Sequence, residues 1–277
     1  MIHSDWHIHT TASHDSWLAM ETVIASGRAQ GLEYIGISDH IDTNEERFMN
    51  HMRLASRDYH RLRSGVPELI LGAELEPYAL SLHEHIARTG SRDGWAPDLT
   101  GKLLEPEMAV TKQQLMELGF RYVIGAAHVP LDERDMSDCG VIGEFHRMQM
   151  WLAQDERVTI LGHPWTCCNP AKRDFTMIPR SMHDELAAAL KENGKFIECN
   201  GSTFIHRAND EAYRHRYAEF LRYMFEKGVP MTYGSDCHGR ENLLYGYPDH
   251  RITARPYLEA AGFREGDFSH LTADVLW

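Results

Sequence analysis

Seven short β-like runs, each followed by helical pattern or a long connection, set the architecture open to this chain. Strands alternating with helices are what a parallel sheet built from βα units requires. The runs are Ile2–His9, Tyr34–His40, Leu69–Glu76, Tyr122–His128, Val158–Pro164, Lys195–Gly201 and Pro230–Asp236. Helical stretches read at Met20–Gln30, Arg47–Arg63, Lys112–Leu118, Ile142–Gln154, Ser181–Glu192 and Asp210–Glu226. Gly31, Gly65, Gly119, Gly194 and Gly228 follow them closely, where a left-handed residue commonly ends a helix. Such repeats either close as a barrel or lie open as a doubly wound sheet. The open form calls for a glycine-rich phosphate turn after the first strand. That position holds His7-Ile8-His9-Thr10-Thr11-Ala12-Ser13 with no glycine, so a dinucleotide fold is disfavoured. The 277 residues suit one α/β domain spanning residues 1–277, with no internal repeat or clear boundary. Leu80–Val110 is polar, contains Pro97 and Pro106 and breaks the rhythm. It is expected to be an inserted loop or lid, or a long solvated excursion.

Nearly every predicted strand ends in a residue able to bind metal. The first ends in His7 and His9, with Asp15 soon after; the second in Asp39-His40; the third in Glu74-Leu75-Glu76. His128, Gly162-His163-Pro164, Glu198-Cys199-Asn200 and Asp236-Cys237-His238 follow in turn. Alternate residues of a strand share a face, so His7 can work with His9, and Asp236 with His238. In a parallel barrel the C-terminal strand ends converge on one mouth. A single histidine after a strand is more often structural, and His3, His51, His60, His183 and His215 are left in that class. Recurrence at so many strand ends is different, because buried charge is costly unless paired or metal-bound. Imidazole with carboxylate suits Zn, Mn or Fe. No cysteine is needed in this set. The five cysteines lack a CxxC pair, read as reduced thiols, and those beside ligands are expected to point away.

Charge narrows the partners. With 41 acidic against 28 basic residues the formal net charge is −13, which disfavours nucleic acid and anionic membrane. No uninterrupted apolar run of about 18 residues is present, and the N-terminus lacks signal-peptide character. No membrane span and a cytoplasmic location are the expectations; the oligomeric state is left open.

Taken together, Asp5-Trp6-His7-Ile8-His9-Thr10 with Ser13 and Asp15, then Ser38-Asp39-His40, resemble the opening of the PHP (polymerase and histidinol phosphatase) superfamily. Gly72-Ala73-Glu74, His128, Gly162-His163-Pro164, Glu198-x-Asn200 and Gly234-Ser235-Asp236-x-His238 continue the pattern in order. The resemblance spans roughly residues 3 to 263 and is strongest to the histidinol-phosphate phosphatase branch. It implies a distorted (β/α)7 TIM-like barrel with two to three divalent ions (Zn, Mn or Fe) at the C-terminal strand ends. By position, one ion would take His7, His9, Glu74 and Asp236. A second would share a bridging Glu74 and take His128 and His163. A third would take Asp15, His40 and His238, with His14 an adjacent competitor to Asp15.

The implied activity is hydrolysis of a small phosphate monoester, histidinol phosphate among the candidates, by a hydroxide generated between the metals. Glu74, Asp236, His238 and Arg207 are the expected catalytic residues. Arg207 is the preferred phosphate clamp because a guanidinium fork matches phosphate; Arg134, Arg173 and Arg240 compete. Asp5 either orients a ligand imidazole or caps the barrel floor. Asp39 is expected to brace the neighbouring strand, and Asn200 to reach bound water or substrate. The rival readings are an amidohydrolase-type hydrolase, which usually bridges its metals with a carboxylated lysine, and a phosphodiesterase or nucleotide phosphatase of the same superfamily.

Overall fold

The computed structural model describes residues 2–41, 46–89, 105–128, 136–240 and 246–277. Its strands are β1 (Ser4–Ile8), β2 (Tyr34–Ile41), β3 (Leu69–Leu75), β4 (Tyr78–Ala79), β5 (Pro106–Glu107), β6 (Tyr122–Gly125), β7 (Ile160–Leu161), β8 (Phe196–Asn200) and β9 (Met231–Gly234). The helices are α1 (Met20–Ala29), α2 (Glu46–Leu62), α3 (Leu80–Thr89), α4 (Lys112–Glu117), α5 (Asp138–Gln154), α6 (Asn169–Arg173), α7 (Arg180–Glu192), α8 (Gly201–Ile205), α9 (Glu211–Glu226) and α10 (Arg251–Ala260). Among the described residues no helix is long and apolar enough to cross a membrane.

Seven parallel strands in the order β1-β2-β3-β6-β7-β8-β9 form the main sheet. The sheet curls until its edges meet. Ile8 bridges Cys237, the His9 N–H donates to the Cys237 carbonyl at 3.0 Å, and the Asp236 N–H donates to the His7 carbonyl at 2.7 Å. The result is a nearly closed, distorted TIM-like barrel flanked by helices. Strands β6 and β7 stop well short of the predicted His128 and Pro164 ends, because the chain leaves regular pairing where it begins to carry polar side chains into the mouth. In the Leu80–Val110 excursion, α3 and the antiparallel β4–β5 pair are ordered elements, and residues 90–104 lie outside the described ones.

Side-chain alternation divides the barrel interior into a dry floor and a polar mouth. One face of β3 carries Ile70, Gly72 and Glu74; the matching face along β6 carries Tyr122, Ile124, Ala126 and His128; that of β8 carries Phe196, Glu198 and Asn200. The lower members pack with Trp6, Ile160 and Leu271 in a cluster of their own, against Tyr34, Ile70, Val275 and Leu276. Tyr122 spans this floor, and its hydroxyl donates to the Trp6 carbonyl at 2.7 Å. The C-terminal segment closes the floor from below, with the Trp277 N–H on the Arg121 carbonyl at 2.9 Å.

Strand β1 breaks the alternation. Asp5 pairs with Ile35 and Ile8 with Ile37, so two residues of β1, Trp6 and His7, lie opposite Gly36 alone on β2. This bulge lets Trp6 enter the floor while His7, its neighbour, turns to the mouth. Asp5 and His7 therefore do not share a face as simple strand geometry would have it.

Tyr122 needs a strand without a side chain opposite it. A Cβ on Gly72 would lie 2.3 Å from the Tyr122 ring, closer than packing allows. Gly72→Ala is expected to lower stability in urea unfolding by about 1–3 kcal/mol or more. Gly65→Ala, with nothing within 4 Å of the added atom, should leave it unchanged or raise it by up to about 1 kcal/mol. Equal stability of the two variants would refute the Tyr122 floor as a tight constraint.

Candidate metal centre

His7 and His9 emerge side by side from the end of β1, both fully buried. Each ring has one nitrogen already committed. His7 Nδ1 lies 2.6 Å from Glu198 Oε1, and the other Glu198 oxygen accepts the His163 N–H at 2.6 Å. His9 Nδ1 lies 3.0 Å from Ser13 Oγ, whose own hydrogen goes to Asp39 Oδ1 at 2.9 Å. A carboxylate and a hydroxyl with its proton spent can only accept here, so both Nδ1 atoms carry the hydrogen in the neutral rings. Both Nε2 atoms then present lone pairs, and they face each other at 3.0 Å.

Around that pair the carboxylates close in. Glu74 Oε2 lies 3.2 Å from His7 Nε2 and 3.4 Å from His9 Nε2; Asp236 Oδ1 lies 3.5 and 3.3 Å from the same atoms. Two lone pairs and two carboxylate oxygens in one buried spot repel unless a positive charge joins them. Without an ion, a proton serves. Burial opposes charge on His7, but Glu198, Glu74 and Asp236 together raise it well above the ordinary imidazole range. Burial and the neighbours His238 and His40 hold His9 well below that range. A divalent cation satisfies the same atoms with more charge, and the donors suit Zn, Mn or Fe. The residues fit the group.

Glu74 is the hub of the mouth. Its second oxygen lies 2.9 Å from His163 Nε2 and 4.0 Å from His128 Nδ1, while Oε2 also lies 3.1 Å from His40 Nδ1. Burial opposes its charge, yet His40 and His7 hold it well below the usual carboxylate range. Among the described residues three sets of donors each gather within 4.8 Å: His7, His9 and Asp236; His128, His163 and Cys167; His9, Asp15, His40 and His238. The nine residues expected as ligands are thus brought to one mouth, with Glu74 between the sets. In the third set Asp15 Oδ2 lies 3.6 Å from His40 Nε2 and 3.4 Å from His238 Nε2. Its other oxygen is buried without a hydrogen-bond partner, as expected of an atom waiting for a cation. The competitor His14 is exposed. Burial opposes protonation of His238, but Asp15 and Asp236 outweigh it and raise it to about 9. Burial and His128 oppose protonation of His163, but Cys167 and Glu74 raise it to about 10.

Two of these residues sit on unusual backbone. His163 has φ 21° and Asp236 has φ 55°, a region non-glycine residues rarely adopt and which clusters at functional sites. The supporting residues differ from expectation in detail. Asp5 holds backbone: Oδ1 accepts from the Ser235 N–H at 2.8 Å and the His7 N–H at 3.1 Å, and Oδ2 accepts from the Tyr247 hydroxyl at 2.5 Å. Glu198 is the residue that orients the His7 ring. Asn200 Nδ2 donates to Asp236 Oδ2 at 3.2 Å while its oxygen caps α8 through the Thr203 N–H at 2.9 Å, so it steadies the Asp236 carboxylate. Asp39 accepts from the Thr10 N–H at 2.6 Å and the Thr10 hydroxyl at 2.8 Å, bracing the turn after β1. Cys167 joins His128 and His163 in the second set although it follows His163 by four residues, a spacing that no strand-alternation rule reaches. Among the arginines, Arg207 is exposed on the turn between α8 and α9. Arg173 pairs with Asp138 at 2.6 Å, Arg240 lies 5.3 Å over the Trp17 ring, and Arg134 lies outside the described residues.

A probable phosphatase of Acetivibrio thermocellus is 26% identical over 249 residues, covering 87% of this chain and 83% of its own. The crystal structure of histidinol phosphate phosphatase from Lactococcus lactis, complexed with zinc, L-histidinol and phosphate, superposes with a TM-score of 0.66 at 18% identity, covering 94% of each chain. That likeness establishes the barrel. The sequence profile of the PHP domain matches residues 5–202, which carry all the predicted ligands except Asp236 and His238. This chain belongs to the PHP domain family.

Proposed function

We propose that this protein is a metal-dependent phosphatase that hydrolyses a small phosphate monoester at the barrel mouth. The observation that carries the reading is the pair of facing Nε2 lone pairs, 3.0 Å apart, inside a ring of carboxylates. His7, His9 and Asp236 would hold one ion, His128 and His163 a second, and Asp15, His40 and His238 a third, with Glu74 shared. When bound, divalent ions supply charge to offset the about two negative charges of a phosphate monoester, and a water acidified towards neutrality.

The chain supplies the rest. Glu198, Ser13 with Asp39, and Asn200 fix the ligand rings and Asp236, so little reorganisation accompanies the reaction. Buried Glu74, His7 and His9 keep bulk water from the inner side, while His128 and His238 are each 23% exposed and border the approach open to substrate. In this reading Arg207 takes the phosphate, since β8 delivers it to the same end of the barrel. Water takes the phosphoryl group directly, without a covalent enzyme intermediate. Residues 80–110 are assigned the choice of ester. Histidinol phosphate heads the candidates because the Lactococcus enzyme shares the barrel and acts on it by name. The amidohydrolase rival gains no support, since its bridging position is filled by Glu74 and not by a lysine.

A panel of phosphomonoesters including histidinol phosphate and nucleotides tests this directly. Chelation should abolish hydrolysis and added metal restore it. Glu74→Gln should lower kcat/KM by about 100-fold or more, the equivalent of several kcal/mol of lost charge stabilisation. Arg207→Ala should raise KM roughly tenfold, as a lost hydrogen bond to a charged group does. Metal-loaded protein inert towards every phosphate ester but active on an amide or lactone would refute the reading.

Metal affinity should also follow pH with a fixed sign. His7, His163 and His238 have raised proton affinities, the last two to about 10 and about 9, so they hold protons at neutral pH until an ion displaces them. Affinity should therefore rise with pH towards about 9–10. Calorimetry in buffers of differing ionisation enthalpy should record proton release on binding. Affinity independent of pH would contradict the assigned ligands.

A further inference from the structure

The turn that follows β7 has a shape that the ligand His163 alone does not require. His163 and Trp165 both have positive φ, 21° and 67°, and a bulky residue in that region is a genuine outlier. Trp165 is anchored there, 1% exposed, with its ring stacked on His146 at 6.1 Å. The Thr166 N–H and hydroxyl both return to the His163 carbonyl, at 3.1 and 2.9 Å. The Cys168 N–H then closes on the Trp165 carbonyl at 3.0 Å, just before α6 begins. The effect of this reversal is to bring residue 167 back over residue 163. Cys167 Sγ lies within 4.8 Å of ligand nitrogens of both His163 and His128, whose ring centroids are 4.4 Å apart. Glu74 Oε1 is 2.9 Å from His163 Nε2 on the other side.

We propose that Cys167 is a thiolate ligand of the ion held by His128 and His163, completing a two-nitrogen, one-sulfur site that shares the Glu74 carboxylate. The proposal rests on the reading of this mouth as a metal centre. Binding breaks the Cys167 S–H bond and forms a sulfur–metal bond; the proton leaves to the buffer and no oxidation state changes. The thiolate adds a negative charge to those of the shared Glu74 and of Glu76, whose Oε1 lies 3.3 Å from His128 Nδ1, and so helps offset the ion where net charge is poorly solvated. Sulfur is a soft donor, so this position favours zinc or iron over manganese, whereas the all-nitrogen and oxygen sets around His7 and His40 carry no such bias.

Cobalt(II) titration of the metal-depleted protein, followed by absorption, tests it. A Cys139→Ser background removes the exposed thiol, and Cys168, Cys199 and Cys237 are buried. The expected result is a near-ultraviolet sulfur-to-cobalt charge-transfer band together with visible d–d bands. Cys167→Ala should lose the charge-transfer band and keep the d–d bands. It should also weaken one binding step by at least the roughly 10–100-fold that loss of even a supporting partner costs. Cys167→His, which offers nitrogen in place of sulfur, should recover the lost affinity without the charge-transfer band, and its recovery separates ligand loss from misfolding. Cobalt bound with d–d bands but no charge-transfer band in the parent would overturn the Cys167 assignment and leave the metal centre standing. No stoichiometric cobalt binding at all would overturn both.

Discussion

Two buried imidazole nitrogens with facing lone pairs cannot rest 3.0 Å apart unless positive charge lies between them. Everything around His7 and His9 maintains that confrontation. Glu198 fixes one ring through its Nδ1, Ser13 and Asp39 fix the other, and Glu74 and Asp236 deepen the demand for a cation. The carboxylates of this mouth are held ionised by the histidines around them, so they draw a proton or a metal into it. Its stability is therefore tied to what occupies it, and binding energy becomes folding energy.

The scaffold meets this demand by separating wet from dry along each strand. The interior face of β3 runs from Ile70 through Gly72 to Glu74 within a few ångströms. Tyr122 fills the space above the floor, and its contact with the bare backbone at Gly72 keeps the apolar plug tight beneath the ligands. The bulge in β1 performs the one shift the alternation does not supply, placing Trp6 in the floor and His7 in the mouth. Closure between β1 and β9 runs through the ligand segments themselves, with Asp236 and His7 hydrogen-bonded by their backbones. Fold and site share the same bonds at that seam.

Much of this was legible in the sequence, for physical reasons. Parallel strands buried on both faces read as apolar runs, and their polar C-terminal residues stand out against them, so all seven strands and the polar residues that meet at their ends are readable from pattern alone. The pattern failed where backbone departed from regular geometry. Strand alternation wrongly put Asp5 on the face of His7 because a bulge is invisible in composition. Helix α10 went unread, as its Pro256 argues locally against a helix. Cys167 has no place in the strand-end pattern, because nothing in the string His163-Pro164-Trp165-Thr166-Cys167 announces two residues of positive φ. The sequence shows Glu198 as a strand-end carboxylate and part of the Glu198-x-Asn200 pattern; its partnership with His7 depends on a contact between residues 191 positions apart.

The claim on which the account depends is that this mouth holds metal between the facing histidines. A crystal of untreated protein, with diffraction recorded on both sides of the zinc, iron and manganese absorption edges, tests it most directly. The account predicts an anomalous peak bounded by His7 Nε2, His9 Nε2, Glu74 and Asp236, and a second beside His128 and His163. A well-ordered mouth with no anomalous density, and His7 and His9 at hydrogen-bonding distance from each other, would contradict it.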